Sequence, residues 1–357
     1  MRNRTGVLSE RVGSLATTST LPAGEMLTGI EGAHPAAMRS RLAYTTSRGT
    51  MIQGMTERVL ASQMAKKYRG KVQLILTSPP FPLNRKKKYG NLQGEEYIQW
   101  LAGFAPLFRK FLKPKGSLVI ELGNAWEPGL PVMSTLGLRA LLAVLEEGDF
   151  YLCQQFVAFN KARLPSPAQW VNVERIRVKD AYTHVWWMSK SARPRANNRR
   201  VLKEYTPSMK RLLRTRRYNS GRRPSEHSIG ASSFLRNNGG AIPSNVLQVT
   251  NTASRDSYLD YCRDHDLPLQ PSRMPAQIPE FFIKLLTASR DIVLDPFAGS
   301  NVTGAVADSL KRRWLSIEPV EAYVRGSIGR FQSVRRHGRW WRSPAESKGK
   351  TLPQNLR

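Results

Sequence analysis

Ser78, Pro79, Pro80 and Phe81 follow directly on an apolar run at residues 72–76. That run reads as a buried strand, so the four residues form a rigid corner at its C-terminal end. Proline fixes φ and gives up its N–H, which holds the carbonyls around Pro79 in place with few local partners. Ser78 adds a hydroxyl that can donate or accept, and Phe81 adds a face for stacking. Such a corner can hold a flat ring bearing an amino group. The plainer alternative is a Pro-Pro turn leaving a sheet, since short motifs also arise by chance.

A second group narrows the choice. Residues 291–294 read as another buried strand running into Asp295-Pro296-Phe297-Ala298-Gly299-Ser300. Residues 302–310 read as a helix, and 314–317 as the next strand, closed by Glu318. Gly299 permits close backbone approach to a ligand, and the amides of a helix start can meet an anion. An acid ending the second strand can accept hydrogen bonds from ribose hydroxyls. Glu318 lies 23 residues beyond Asp295, near the ~20 expected of a nucleotide-binding unit. The G-x-G-x-x-G spacing is missing, which favours a smaller adenosine ligand over a dinucleotide. Asp295 could instead cap the helix.

Other elements must position these two groups. Apolar residues at 97, 98, 101, 104, 105, 108, 111 and 112 have helical spacing, which predicts one helix over residues 94–112. Residues 117–120 read as a short strand, 136–145 as an apolar helix, and 151–159 and 182–188 as two later strands forming an antiparallel pair.

Together the two groups resemble the S-adenosylmethionine-dependent DNA amino-methyltransferases. Thr77-Ser-Pro-Pro-Phe81 resembles the catalytic motif of the branch that methylates N4 of cytosine, as in restriction–modification systems. Asp295-Pro-Phe-Ala-Gly-Ser-Asn-Val-Thr-Gly304 resembles the cofactor loop, with Asn301 where a glycine often stands. The order, with the catalytic half first and the cofactor loop last, is that of the beta group. The segments Pro271–Lys284, Lys113–Asn124, Tyr182–Lys190 and Ala241–Val246 are also similar, so the resemblance covers roughly residues 40–331.

The resemblance implies one α/β domain: a doubly wound, mostly parallel sheet with both motifs at C-terminal strand ends and a basic target-recognition insertion. It implies that Ser78 and the Pro79 carbonyl hold the amino group, that Phe81 stacks on a flipped-out cytosine, and that Pro80 stiffens the corner. Glu318 would take the ribose hydroxyls, with Asp295, Phe297, Gly299 and Ser300 on the methionine side. Thr303 would shape the turn, and Arg273 and Pro275 are weaker carry-overs. Ser at the first motif position favours N4-cytosine; N6-adenine, RNA amino-methylation and a catalytically silent DNA-binding protein are the alternatives.

Composition agrees. The 357 residues carry 56 Lys+Arg against 26 Asp+Glu, a net charge of +30. That excess favours a polyanionic partner without distinguishing DNA, RNA or an anionic membrane; the resemblance implies double-stranded DNA. From 190 to 223 there are thirteen basic residues against the single acid Glu204. Arg199, Arg200, Arg211, Arg214, Arg216 and Arg217 are therefore candidates for phosphate or base contacts. Arg85, Lys86, Lys87 and Lys88 follow the catalytic corner and are further phosphate candidates or a mobile lid.

Cys153 and Cys262 are too few for a disulfide framework or a zinc site, so no metal is expected. Neither follows a proline, which argues against a cysteine nucleophile for carbon-5 chemistry, and Cys153 reads as core. No apolar run approaches the ~20 residues that span a bilayer, and no secretory signal is visible.

The expected organisation is a flexible extension over 1–40, a catalytic half over 41–190, a basic recognition region over 191–240, a cofactor half over 241–331 and a basic tail over 332–357. Met38 is a candidate translation start. By the resemblance, the protein would be prokaryotic or phage-encoded and would work in the cytoplasm at the nucleoid, beside a separate restriction endonuclease if one exists. The choice between monomer and homodimer stays open.

Overall fold

The structure is a computed structural model and describes residues 39–81, 94–250 and 256–332. The expected lid at Arg85–Lys88, the start at Met38, most of the N-terminal extension and nearly all of the basic tail lie outside these residues.

Eleven strands occur among the described residues: β1 Arg41–Thr45, β2 Gly49–Gln53, β3 Val72–Thr77, β4 Leu112–Leu122, β5 Tyr151–Phe159, β6 Tyr182–Ser189, β7 Gly221–Arg222, β8 Ser228–Ile229, β9 Val246–Gln248, β10 Ile292–Asp295 and β11 Arg313–Glu318. Nine form one sheet in the order β1-β2-β11-β10-β3-β4-β6-β5-β9. The five strands from β2 to β4 run parallel, and β6 is antiparallel to both β4 and β5. This is the expected doubly wound, mostly parallel sheet with an antiparallel pair.

The strands read as continuous apolar runs because both faces of the sheet are covered. Alternate residues feed two cores. Ile75, Leu118, Ile120, Leu294 and Leu315 pack with Tyr97, Leu101, Phe108 and Leu141. Leu74, Leu76, Val119, Val293 and Trp314 face the other way, onto Ile278, Phe282 and Ile283. A one-residue slip of any central strand would exchange its two faces, so the pattern fixes the register.

Two expectations need correction here. The helix predicted over 94–112 is two helices, Gly94–Gly103 and Ala105–Phe111, because Pro106 lacks an N–H and its ring clashes with the preceding turn. Cys153 is half-exposed rather than core. β9 covers only Val157–Phe159 of β5, and a bulge between Leu152 and Gln154 disturbs the stretch that holds Cys153.

The hairpin of β1 and β2 was not foreseen. β2 pairs in parallel with β11, register Glu318↔Gln53, and extends the sheet beside the cofactor strands. No helix among the described residues is long and apolar enough to cross a membrane.

Candidate active site

β3 and β10 are neighbours and end side by side. Ser78 to Phe81 therefore stand next to the turn after Asp295, as two strand-end motifs require. Pro79 is buried, while Ser78, Pro80 and Phe81 are half-buried. The Phe81 ring lies against Gly123 just after β4: a Cβ there would come within 3.0 Å of two ring carbons. Glycine at 123 makes room for the aromatic wall.

The register Thr77↔Ile120 places Ser78 beside Glu121. The Ser78 hydroxyl hydrogen-bonds the Glu121 carboxyl, and burial pushes that carboxyl above its ordinary range. Thr183 on β6 donates a second hydrogen bond to Glu121 Oε1 at 2.9 Å. Sequence reasoning missed Glu121. The available signal was an acid inside the strand run Leu118-Val-Ile-Glu-Leu122, since a buried polar residue is the informative exception.

The cofactor loop is built from bonds that converge on two buried acids. Glu318, at the end of β11, accepts from Gly299 N at 2.8 Å and Val320 N at 3.0 Å. Gly299 adopts φ +50°, the left-handed region where glycine carries no steric cost. Asp295 turns inward and accepts from Thr77 Oγ1 at 2.7 Å, Phe297 N at 3.1 Å and the Thr303 hydroxyl. Burial raises the Glu318 carboxyl to about 7 and that of Asp295 to about 6. Neither acid forms a salt bridge among the described residues.

Asn301 adopts φ +57°, as its tolerance of that region allows. It also locks the loop. Its Oδ1 accepts from Gly304 N and Ser316 Oγ, and its Nδ2 donates to Tyr44 of the hairpin at 3.0 Å.

The residues expected around the cofactor also have partners inside the protein. Asp295 and Thr303 are bonded to each other, and Asp295 also to Thr77 and Phe297 N, which ties the loop to the end of β3. Ser300 is buried, with its hydroxyl donating to Gln270 at 3.1 Å and receiving from Arg330 at 3.0 Å. Arg273 pairs with Asp256, the acid that also meets Arg330. The half-buried Phe297 ring packs on Trp100 and Phe104 at 5.4 and 5.2 Å.

The basic region divides. Arg195 pairs with Asp291 at 3.0 Å, Asn197 N donates to Leu285 O, and Arg200 donates to Thr287 O. These partners precede β10, so Arg199 and Arg200 run under the N-terminal ends of the strands. The site lies at the other end, four residues or roughly 13 Å along β10. The insertion proper begins where Lys203 and Ala241 exchange backbone hydrogen bonds at 2.9 and 2.8 Å. Within it, the helix Pro207–Thr215 buries no residue, and Arg211, Arg214, Arg216 and Arg217 are exposed. Tyr218 packs edge-on against Phe234 beside the β7–β8 hairpin.

Comparison with known proteins decides the family. The DNA methylase family model matches residues 72–329. The chain belongs to the DNA methylase family. It is 44% identical over 291 residues to the type II methyltransferase M.PvuII of Proteus hauseri, covering 81% of this chain and 85% of the relative. A solved structure described as the PvuII DNA methyltransferase (cytosine-N4-specific) superposes with a TM-score of 0.65 at 38% identity, covering 82% of this chain and 89% of that one. The type II methyltransferase M.HpaI of Haemophilus parainfluenzae is more distant, 23% identical over 291 residues, 78% of this chain and 75% of the relative.

The site fits S-adenosylmethionine, the methyl donor expected of a DNA methylase. A carboxylate such as Glu318 offers about four acceptor sites. Two are taken by backbone amides, which leaves acceptor capacity for ribose hydroxyls, and no cation among the described residues competes for it. The glycine turn beside Glu318 lets the ligand approach the backbone.

Proposed function

We propose that the protein methylates the exocyclic N4 of a cytosine rotated out of a defined sequence in duplex DNA, using S-adenosylmethionine. The observation that carries this reading is the Ser78 hydroxyl held by the buried Glu121 at the strand end next to the cofactor strand. Ser rather than Asp or Asn at position 78 supports cytosine over adenine, as does the cytosine-N4 specificity of the solved relative.

When bound, S-adenosylmethionine supplies an electrophilic methyl group on a sulfonium. The protein's own residues do the rest. Glu318 accepts the ribose hydroxyls, and the Asp295 brace fixes the turn that carries Gly299. Phe81, backed by Gly123, stacks on the extruded ring. The Glu121 carboxylate takes the hydrogen of the Ser78 hydroxyl, so the serine lone pairs face outward as acceptors. They hold one hydrogen of the amino group and favour a nitrogen lone pair that is not delocalised into the ring. As nitrogen gains the methyl group, its proton passes to Ser78 Oγ while the serine proton passes to Glu121. The raised affinity of Glu121 for a proton suits that end point. Fixed acceptors at the developing charge lower the barrier without reorganisation.

A base inside a duplex cannot reach this corner, so extrusion is required at a cost of about a few kcal/mol. Arg211, Arg214, Arg216 and Arg217 are assigned to DNA contact. In the cell the protein acts at the nucleoid. Purified protein incubated with S-adenosylmethionine and either plasmid DNA or structured RNA tests the reading: N4-methylcytosine in DNA alone supports it, and methylation confined to RNA overturns it.

A further inference from the structure

The active-site wall continues into an arm with no assigned task. Gly123 backs Phe81, and next to it Asn124 Nδ2 donates to both carboxylate oxygens of Asp180 at 2.8 and 2.9 Å. Asp180 closes the segment 160–181, the connection between β5 and β6. That segment is ordered by its own contacts. Arg177 stacks 3.7 Å over Trp126 and donates to Pro131 O at 2.7 Å, and Trp126 packs against Trp170. Lys179 Nζ donates to the carbonyls of Lys161 and Arg163 at 2.8 and 3.2 Å, holding the two limbs together.

Leu164 and Val178 lie on the two limbs that this tie joins, each next in sequence to one of its partners. They are 80% and 86% exposed, the highest values among the large exposed apolar residues described. Two such side chains on a rigid support, beside a catalytic corner, gain nothing from water. The surrounding charge selects their partner. Residues 160–181 carry Lys161, Arg163, Arg175, Arg177 and Lys179 against Glu174 and Asp180, and Asp180 is already bound to Asn124.

We propose that Leu164 and Val178 form an apolar wedge that enters the DNA base stack beside the target cytosine and stabilises its extruded state. Lys161 and Arg175, exposed on the same segment, meet the phosphates. Apolar wedges partly unstack base steps and offset the cost with added protein contact. This proposal rests on the flipping reading above.

The test uses the full chain, the double variant Leu164→Ser/Val178→Ser, and a duplex with 2-aminopurine at the target position of the methylated sequence mapped from plasmid DNA. Fluorescence is read at saturating DNA with cofactor bound. The wedge predicts a strong rise for the parent protein and a rise reduced by about tenfold or more for the variant. Turnover should fall in parallel on a paired duplex and recover when the base opposite the target is abasic. Both positions are exposed, and unchanged cofactor affinity in the variant confirms an intact fold. A rise of equal size in both proteins overturns the wedge. No rise in the parent protein, with methylation intact, overturns flipping itself. An equal loss of turnover on paired and abasic duplexes also overturns the wedge, since it would mark a general DNA contact.

Discussion

Thr77 Oγ1 lies 2.7 Å from Asp295 Oδ1. This single hydrogen bond joins the last residue of the catalytic strand to the last residue of the cofactor strand, 218 positions apart in the chain. It sets the spacing between the corner that holds the base and the turn that holds the methyl donor. Thr77→Val keeps the shape but leaves a buried acceptor short of a donor, at a cost of about 1–3 kcal/mol. Thermal melting should show a drop of several degrees, and methylation should fall even where folding is complete.

Glu121 predicts a pH effect with a definite sign. Burial raises its carboxyl, and the carboxylate form is the one that accepts the proton. Turnover at saturating cofactor should therefore fall as pH drops through that raised value. Glu121→Gln should lower kcat by about 10²–10⁴-fold, the usual worth of a positioned acid–base group. Its affinity for S-adenosylmethionine, measured by calorimetry, should be unchanged.

Glu318 and Asp295 link cofactor affinity to stability. Their carboxyls are raised to about 7 and about 6 from ordinary values of 4.5 and 3.8. The folded protein without cofactor thus holds these protons more tightly than the unfolded chain. The stability they contribute is full below the ordinary values and is lost as pH rises through about 6 to 7. Ribose hydroxyls favour ionised Glu318, so cofactor binding should weaken by about tenfold per pH unit well below its pKa. The stabilisation by cofactor in thermal melts should be larger at about pH 8 than at about pH 6, and Glu318→Gln should flatten that difference.

The division of the basic region makes a contrast. Alanine at Arg211, Arg214, Arg216 and Arg217 should weaken duplex binding and reduce the salt slope by about 0.9 for each phosphate that is no longer neutralised. Alanine at Arg199 and Arg200, which sit under the opposite end of the sheet, should leave the slope unchanged. Titration of a fluorescent duplex at several salt concentrations measures both.

What could be read from the sequence was local. The runs at 72, 292 and 313 announce buried strands because both sheet faces are apolar, and the motifs at their ends carry their own geometry. Asn301 in the left-handed region also follows from its residue type. What could not be read depends on register and direction. Glu121 matters because Thr77 pairs with Ile120, and Asp295 turns inward because Thr77 meets it. Charge density alone has no direction along a sheet, so the sequence does not separate Arg199 and Arg200, exposed near the N-terminal strand ends, from the exposed arginines at 211–217. The break at Pro106 was visible in the residue type but was masked by apolar spacing that continues through it.

The Ser78–Glu121 pair as the centre of cytosine-N4 methylation is tested most directly on plasmid DNA from cells expressing the parent protein, Ser78→Ala or Glu121→Gln. Nucleoside mass spectrometry quantifies N4-methylcytosine and N6-methyladenine. N4-methylcytosine with the parent protein, lost with Ser78→Ala and strongly reduced with Glu121→Gln, is the predicted result. N6-methyladenine in its place, or N4-methylcytosine that survives both substitutions, would contradict it.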